Sequence, residues 1–181
     1  MKIAVYCSSS NHIAEHYKQM AFELGKWIAS EGHTLVYGGA IGGLMTAVAE
    51  GAYTHKGSII GVVPQSVINK GRKTDLPIEL HTTADLHERK MLMKQLADVF
   101  VVLPGSFGTL DEMFDVVSAG TLNEHKKPLI LINWQHYYDH LIELFSWMKH
   151  ENCLPKIEIY KPEVVTTIDE CINIINKYII E

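Results

Sequence analysis

The segment "LPGSFGTLDE" (103–112) places a pliable loop directly before two acidic residues, Asp111 and Glu112. Its glycines allow backbone N–H groups to approach an anion closely, and a helix that begins here adds partial positive charge at its N-terminus. A carboxylate beside such an anion is unfavourable unless it contacts a different part of the ligand, and a sugar ring is one candidate. Glu112, with Asp115 three residues on along the same helix face, is therefore a candidate functional acid.

Arg89 and Lys90, in "ADLHERKMLM" (84–93), supply the opposite charge. The guanidinium of Arg89 could bind a phosphate through two parallel hydrogen bonds or pair with a carboxylate. The structural alternative is a helix face from which both side chains point into solvent.

Glu112 also has a structural alternative. Thr109 and Glu112 have the spacing of a capping box, in which the acid at the third helical position accepts from the N–H of the capping residue. Thr167 and Glu170 repeat that spacing at the start of the last predicted helix. The pattern alone leaves both interpretations of Glu112 open.

Two more loops share the composition of the loop at 104–108, namely "CSSS" (7–10) and "GGAIGG" (38–43). In open parallel sheets, ligands bind beyond the carboxyl ends of the strands, where such loops meet helix N-termini. Three of them on one edge predict a small phosphorylated ligand. Neither the P-loop pattern GxxxxGK[ST] nor the dinucleotide pattern GxGxxG is present, so the P-loop of a nucleoside triphosphatase is excluded and a dinucleotide site is poorly matched.

Metal and thiol chemistry have weaker support. His136 and His140 are four residues apart on a predicted helix, but no third ligand is evident, so we expect no metal. Cys7 has no visible partner base and is interpreted as a packing residue.

Five short apolar runs predict the strands that must position these loops: 2–6, 34–38, 58–63, 98–103 and 128–132. They are apolar throughout, as in strands that are covered on both faces. Helical patterns occupy 14–30, 43–53, 86–97, 109–122, 137–150 and 167–179. The alternation predicts an α/β protein with a parallel, doubly wound sheet flanked by helices.

The segment 64–82 is the least regular, and we expect it to contain a mobile loop over the sheet edge. Because no linker or repeat interrupts the pattern, residues 1–181 are predicted to form one domain.

A formal net charge of −5, without a long basic run, argues against binding to nucleic acid or to a membrane surface. No apolar stretch approaches the roughly 18 residues that a membrane span requires. The three scattered cysteines form no CxxC pair, and a reducing cytoplasm is the expected location.

Three stretches, "YGGAIGGLM" (37–45), "HERK" (87–90) and "PGSFGTLDE" (104–112), resemble the LONELY GUY (LOG) family, whose pattern is PGGxGTxxE preceded by an RK pair. The resemblance runs over nearly the whole chain and includes "CSSS", "HKKPLILIN" and "YYDHL". Many members have long been labelled "lysine decarboxylase-like".

The resemblance implies a cofactor-free phosphoribohydrolase with a Rossmann-like fold, usually a homodimer. It cleaves the N-glycosidic bond of an adenine-type nucleoside 5′-monophosphate, such as AMP or a cytokinin riboside 5′-monophosphate, to free base and ribose 5-phosphate. The catalytic pair falls on Arg89 and Glu112. The implied substrate-binding residues are Ser8, Ser9, Gly38, Gly39, Gly42, Gly43, Lys90, Gly105, Ser106, Phe107, Gly108, Thr109, Asp115 and Ser118.

The chain departs from the family pattern where Ala40, Thr46 and Ser106 replace glycines. Ala40 and Ser106 add a Cβ where backbone approaches a phosphate, although the Ser106 hydroxyl could donate to it. These departures motivate the alternative of a nucleotide-binding or sensing protein without turnover. A PLP-dependent decarboxylase is a third hypothesis, but no lysine has a persuasive Schiff-base setting.

Overall fold

A central parallel sheet organises the computed structural model, which describes residues 1–154 and 160–180, without the side chain of Ile180. Within these residues the sheet has seven strands, in the order β4-β3-β2-β1-β5-β6-β7. Every neighbouring pair is parallel. The strands are β1 (Lys2–Tyr6), β2 (Thr34–Tyr37), β3 (Ser58–Pro64), β4 (Glu79–Thr83), β5 (Val99–Val102), β6 (Leu129–Ile132) and β7 (Glu163–Val165).

Helices cover both faces of the sheet, as predicted for a doubly wound fold. They are α1 (Glu15–Ser30), α2 (Gly43–Thr54), α3 (Gln65–Ile68), α4 (Leu86–Leu96), α5 (Phe107–Thr121), α6 (Asp139–His150) and α7 (Ile168–Ile180), with a short 3-10 turn at Trp134–His136. One apolar core lies under α1, α2 and α7. The other lies under α4, α5 and α6.

Two strands lie where the sequence pattern did not predict any. β4 overlaps the end of the segment 64–82, which was predicted to contain a loop and which also contains α3. The signal for β4 is weak because "ELHTT" is largely polar, as befits a strand with only one neighbour. β7, the other edge strand, is only three residues long.

The first residue of each helix decides which of the two predicted capping boxes forms. α7 begins directly after Thr167, whose hydroxyl accepts from the N–H of Glu170 at 3.2 Å, and this capping box is confirmed. α5 begins at Phe107, two residues before its predicted start, with Ser106 as N-cap. Thr109 therefore lies inside the helix, and the capping-box interpretation of Glu112 is wrong.

The sheet reverses its winding between β1 and β5. The chain leaves these neighbouring strands toward opposite sides, which opens a crevice at their carboxyl ends. The N–H of Ser8, after β1, donates to the carbonyl of Pro104, after β5, at 3.1 Å and joins the two loops that flank the crevice. Among the described residues, no helix is both long and apolar enough to cross a bilayer.

Candidate functional site

A cavity of about 180 Å³ lies at the carboxyl edge of the sheet, in this crevice. Eight residues that were predicted from sequence line it: Ser8, Ser9, Arg89, Lys90, Ser106, Gly108, Thr109 and Glu112. Seven further residues complete the lining: Cys7, Ala40, Met45, Val67, Arg72, Leu86 and Asp111. The cavity thus joins loops and helices that are distant in sequence.

A buried ion pair between α4 and α5 forms one wall. The Nη2 group of Arg89 donates to Oε1 of Glu112, and the two side chains are only 11% and 7% exposed. Gly38, at the end of β2, makes room for the guanidinium, because a Cβ at that position would lie 2.8 Å from Arg89 Nη2. Glu112 is therefore held at the cavity by Arg89.

Burial raises the pKa of Glu112, and the charge of Arg89 opposes that rise most strongly. Asp111 adds to the rise, whereas Lys90 and the hydrogen bond from Arg89 lower the pKa. The net direction is upward because removing a carboxylate from water disfavours its charged form. A carboxyl with a raised pKa in a cavity is a usual property of acid–base groups.

The loop at 104–108 leads into the first turn of α5, whose leading N–H groups have no partner within the helix. Ser106 has φ −103° and makes no side-chain cap hydrogen bond. Its backbone therefore lies outside the positive-φ region that favours glycine. Position 105 requires glycine for a steric reason, since a Cβ there would lie 2.5 Å from the Cβ of Thr109.

Two tyrosines hold this loop from the side of α6. Tyr137 donates from its hydroxyl to the carbonyl of Gly105 at 3.0 Å, and Tyr138 donates to that of Leu103 at 2.8 Å. The C=O and N–H groups of a trans peptide point in opposite directions. The N–H of Ser106 is consequently turned away from Tyr137. Neither tyrosine was predicted to contribute to the site.

The loop at 38–43 was predicted to contact the substrate. Its amides are used within the protein: Ile41 N–H donates to Arg72 O at 2.8 Å, Gly42 N–H to Thr46 Oγ1 at 2.7 Å and Gly43 N–H to Asn11 Oδ1 at 3.0 Å. The family departure Thr46 thus has a structural role.

None of the four predicted glycines of this loop, Gly38, Gly39, Gly42 and Gly43, lines the cavity. Gly42 and Gly43 have φ values of 124° and 49°, and a Cβ at Gly43 would lie 2.9 Å from the carbonyl oxygen of Ser8. These glycines are required by the backbone of the turn, and their contact with the substrate stays a prediction.

Four other predicted contacts lie outside the lining. Gly105 is buried beneath the loop, and Phe107 is 90% exposed. Asp115 pairs with Lys94 at 2.7 Å rather than facing the cavity. Ser118 is exposed and, at about 1.5 Å of helix rise per residue, lies far along α5 from its N-terminus.

The remaining predicted residues do face the cavity. Lys90 donates to both carboxylate oxygens of Asp111, at 2.8 and 3.0 Å. Ser8 is buried, and its hydroxyl accepts from the N–H of Ser10 at 3.1 Å. Ser9, half-buried, presents its carbonyl to Arg72 at 3.3 Å.

The lining that sequence reasoning missed is mostly apolar: Ala40, Met45, Val67 and Leu86. Cys7 adds a buried thiol, whose pKa is strongly raised by burial. Arg72 belongs to a small basic cluster with Lys70 and Lys73, which was the sequence signal available for it, but its place in the cavity depends on how the segment 64–82 folds back over the sheet.

The two histidines considered as metal ligands contact acids on their own helical segment. His136 lies 3.2 Å from Asp139, and His140 lies 3.0 Å from Glu143. Residues 1–154 and 160–180 contain no group of three or more His, Cys, Asp or Glu placed to hold a metal ion.

Residues 45–175 match a protein-family model described as "Possible lysine decarboxylase". A probable cytokinin riboside 5′-monophosphate phosphoribohydrolase of Oryza sativa subsp. japonica is 38% identical over 141 residues, which are 78% of this chain and 62% of that protein. The cytokinin riboside 5′-monophosphate phosphoribohydrolase of Rhodococcoides fascians is 38% identical over 150 residues, which are 82% of this chain and 74% of that protein. The chain spans about six tenths of the length of the rice relatives it matches.

Solved structures share the fold at lower sequence identity. The molybdenum cofactor binding protein of Rippkaea orientalis has a TM-score of 0.73 at 23% identity, and the match covers 98% of this chain and 96% of that one. The molybdenum cofactor carrier protein of Chlamydomonas reinhardtii has a TM-score of 0.72 at 23% identity, with 99% and 98% covered. At this identity the likeness establishes the Rossmann-like fold alone.

Proposed function

The chain belongs to the LONELY GUY (LOG) family, and from this premise we propose that it hydrolyses the N-glycosidic bond of adenine-type nucleoside 5′-monophosphates. The products are free base and ribose 5-phosphate. The observation that carries the proposal is the buried pair of Arg89 and Glu112 at the cavity below the N-terminus of α5. A carboxylate and an anion-binding helix terminus are what cleavage of a phosphorylated nucleoside requires.

The phosphate of the substrate binds at the first turn of α5, where Ser106, Gly108 and Thr109 line the cavity. Backbone N–H groups and the helix dipole favour an anion at this position. The base lies against the apolar part of the lining, which includes Met45 and Leu86. This orientation directs the ribose toward Glu112.

Glu112 acts on the sugar. As the bond from C1′ to the base breaks, its electron pair goes to the base nitrogen and positive charge develops on the ribose. The carboxylate stabilises that charge and orients a water molecule whose oxygen bonds to C1′. The proton that the water loses passes through Glu112 to the leaving base. Arg89 positions the carboxylate and balances its charge.

The alternative of a nucleotide sensor without turnover rested on Ser106 and Ala40. Ser106 adopts φ −103°, which any residue tolerates, and Ala40 fits into the cavity wall while 6% exposed. Neither residue disturbs the Arg89–Glu112 pair, so these two departures from the family pattern no longer support the sensor hypothesis.

The description of the family model names lysine decarboxylation, which requires a lysine that forms a Schiff base with PLP. Lys90 is the lysine that lines the cavity, and its amine is engaged with both oxygens of Asp111. The described lining does not fit that cofactor.

We also propose that the protein is a homodimer. Helices α4 and α6 and the residue that follows α5 carry large apolar side chains with substantial exposure: Met91, Leu122, Leu144 and Trp147 are 44%, 72%, 44% and 59% exposed. Burial against a second copy would remove this apolar surface from water. A cytoplasmic location is proposed because Cys7 and Cys171 are buried free thiols.

Incubation of the purified protein with AMP and with an isoprenyl-adenosine monophosphate, followed by chromatography, tests the activity. We expect free base from at least one nucleotide, far slower turnover of adenosine, and no loss of activity in EDTA. Nucleotide binding without any release of base would contradict the proposal.

A further inference from the structure

Arg72 differs from the other cations that line the cavity. Arg89 pairs with Glu112, and Lys90 pairs with Asp111. No carboxylate in the described part of the chain lies within ion-pair distance of Arg72, which is exposed on the cavity rim. The lining therefore holds three cations and two carboxylates, and the remaining positive charge belongs to Arg72.

The position of this charge is defined by two loops. Arg72 follows α3, on the segment that folds back over the carboxyl edge of the sheet. Its backbone carbonyl accepts from Ile41 at 2.8 Å, and its Nη2 group donates to the carbonyls of Ser9 at 3.3 Å and Ile41 at 3.2 Å. The guanidinium is thereby held between the loops that follow β1 and β2.

These contacts occupy one nitrogen of the guanidinium. An arginine has five N–H donors, and Nη2 supplies two of them. Neither Nη1 nor Nε donates to any residue within 1–154 or 160–180. Nη1 and Nε of Arg72 can therefore still donate to a ligand, and the position of the guanidinium is already fixed by the contacts of Nη2.

We propose that Arg72 binds the phosphate of the substrate, opposite the N-terminus of α5. The inference rests on the proposed function and assigns the charged phosphate contact to Arg72 in place of the predicted Lys90. Lys90 is less suitable because Asp111 already holds its amine through two hydrogen bonds. Arg72 lines the same cavity as Ser106, Gly108 and Thr109 in the first turn of α5.

The test compares the wild type with Arg72→Gln, Arg72→Lys and Lys73→Gln. Lys73 is the matched control because it is the adjacent cation, is exposed and does not line the cavity. Titration calorimetry measures the affinity for AMP and for adenosine in proteins that also carry Glu112→Gln, so that AMP is not hydrolysed during the titration, and thermal unfolding reports on the fold. We expect Arg72→Gln to weaken AMP binding by roughly 10- to 100-fold, the range for a charge-assisted hydrogen bond.

Adenosine affinity and the unfolding midpoint should stay near wild type in Arg72→Gln. Lys73→Gln should bind AMP normally, and Arg72→Lys should lose part of the affinity because it keeps the charge without the planar group. Unchanged AMP binding in Arg72→Gln overturns the inference. So does a parallel loss of AMP binding, adenosine binding and thermal stability, which would make Arg72 a structural link between the loops.

Calorimetry also separates this inference from the proposed function. If AMP binds in an Arg72-dependent way but no base is released by proteins that keep Glu112, Arg72 is supported and the hydrolase proposal fails. If base is released equally by the wild type and Arg72→Gln with equal affinity, only the inference about Arg72 fails. A wild type that does not bind AMP overturns both.

Discussion

Arg89 and Glu112 face each other across the packed helices α4 and α5, with their side chains 11% and 7% exposed. Two opposite charges removed from water in this way are costly unless each satisfies the other. A residue kept at this cost is poorly explained by stability alone, because an apolar pair of similar size would pack at least as well. The pair is therefore the natural focus for mutation.

The first prediction concerns Glu112→Gln. Gln preserves the shape and can still accept from Arg89, but it removes the negative charge that, in the proposed mechanism, stabilises the developing cation on the ribose. We expect kcat for AMP to fall by roughly 100-fold or more while circular dichroism remains that of the wild type. Near-normal turnover would leave Glu112 with a structural role only.

The second prediction concerns pH. Burial raises the pKa of Glu112, and the charge of Arg89 opposes the rise, so Glu112 loses its proton at a higher pH than an ordinary glutamate. The acidic limb of the pH profile of kcat/KM should therefore have an apparent pKa above the usual glutamate value of about 4.3. This limb should be absent from the pH profile of the residual activity of Glu112→Gln. A limb at or below the ordinary range would contradict this assignment.

The same shift predicts how stability depends on pH. Because the folded state binds this proton more tightly than the unfolded state, Glu112 contributes stability that is fully present below the unfolded pKa. That contribution is lost as pH rises through the folded pKa. Denaturant unfolding of the wild type and Glu112→Gln across this range should show the wild type losing stability relative to the variant as pH rises. A constant difference would argue against the raised pKa.

The third prediction concerns Ser106→Gly, which restores the residue of the family pattern. Ser106 lines the cavity, and its side chain caps no helix amide. If the hydroxyl donates to the phosphate, its loss should raise KM for AMP by roughly 10-fold or more, the equivalent of a hydrogen bond of about 1.5–3 kcal/mol to a charged group. The helix itself should lose little, because glycine is also a tolerated N-cap. Unchanged or improved binding would refute the role of the hydroxyl.

The fourth prediction concerns Gly38→Ala. A Cβ at this position would lie 2.8 Å from Arg89 Nη2 and 3.2 Å from Met45 Sδ. The guanidinium must move to accommodate it, so its alignment with Glu112 should be disturbed. We expect a fall in kcat of roughly 10-fold or more, since small misplacements of reacting groups are costly. Activity equal to wild type in a folded variant would mean that the guanidinium tolerates displacement.

Much of the fold follows from local patterns. The apolar runs at β1, β2, β3, β5 and β6 are predictable because a strand covered on both faces must be apolar along its length. The edge strands β4 and β7 escape prediction because they are short or polar, and their pairing depends on a neighbour that the local sequence does not encode. The start of α5 is ambiguous for a similar reason: Ser106 and Thr109 are both acceptable caps, and only the packed helix selects Ser106.

The sequence by itself determined the residue types of the candidate site: a glycine-rich loop before a helix, a carboxylate in that helix, and an arginine in the helix before it. Tertiary structure alone decided which of these groups meet. It paired Arg89 with Glu112, gave the amides of Gly42 and Gly43 to Thr46 and Asn11, and brought Arg72 to the cavity rim. The physical reason is that local propensity acts over a few residues, whereas these contacts depend on the order and register of strands that are far apart in the chain.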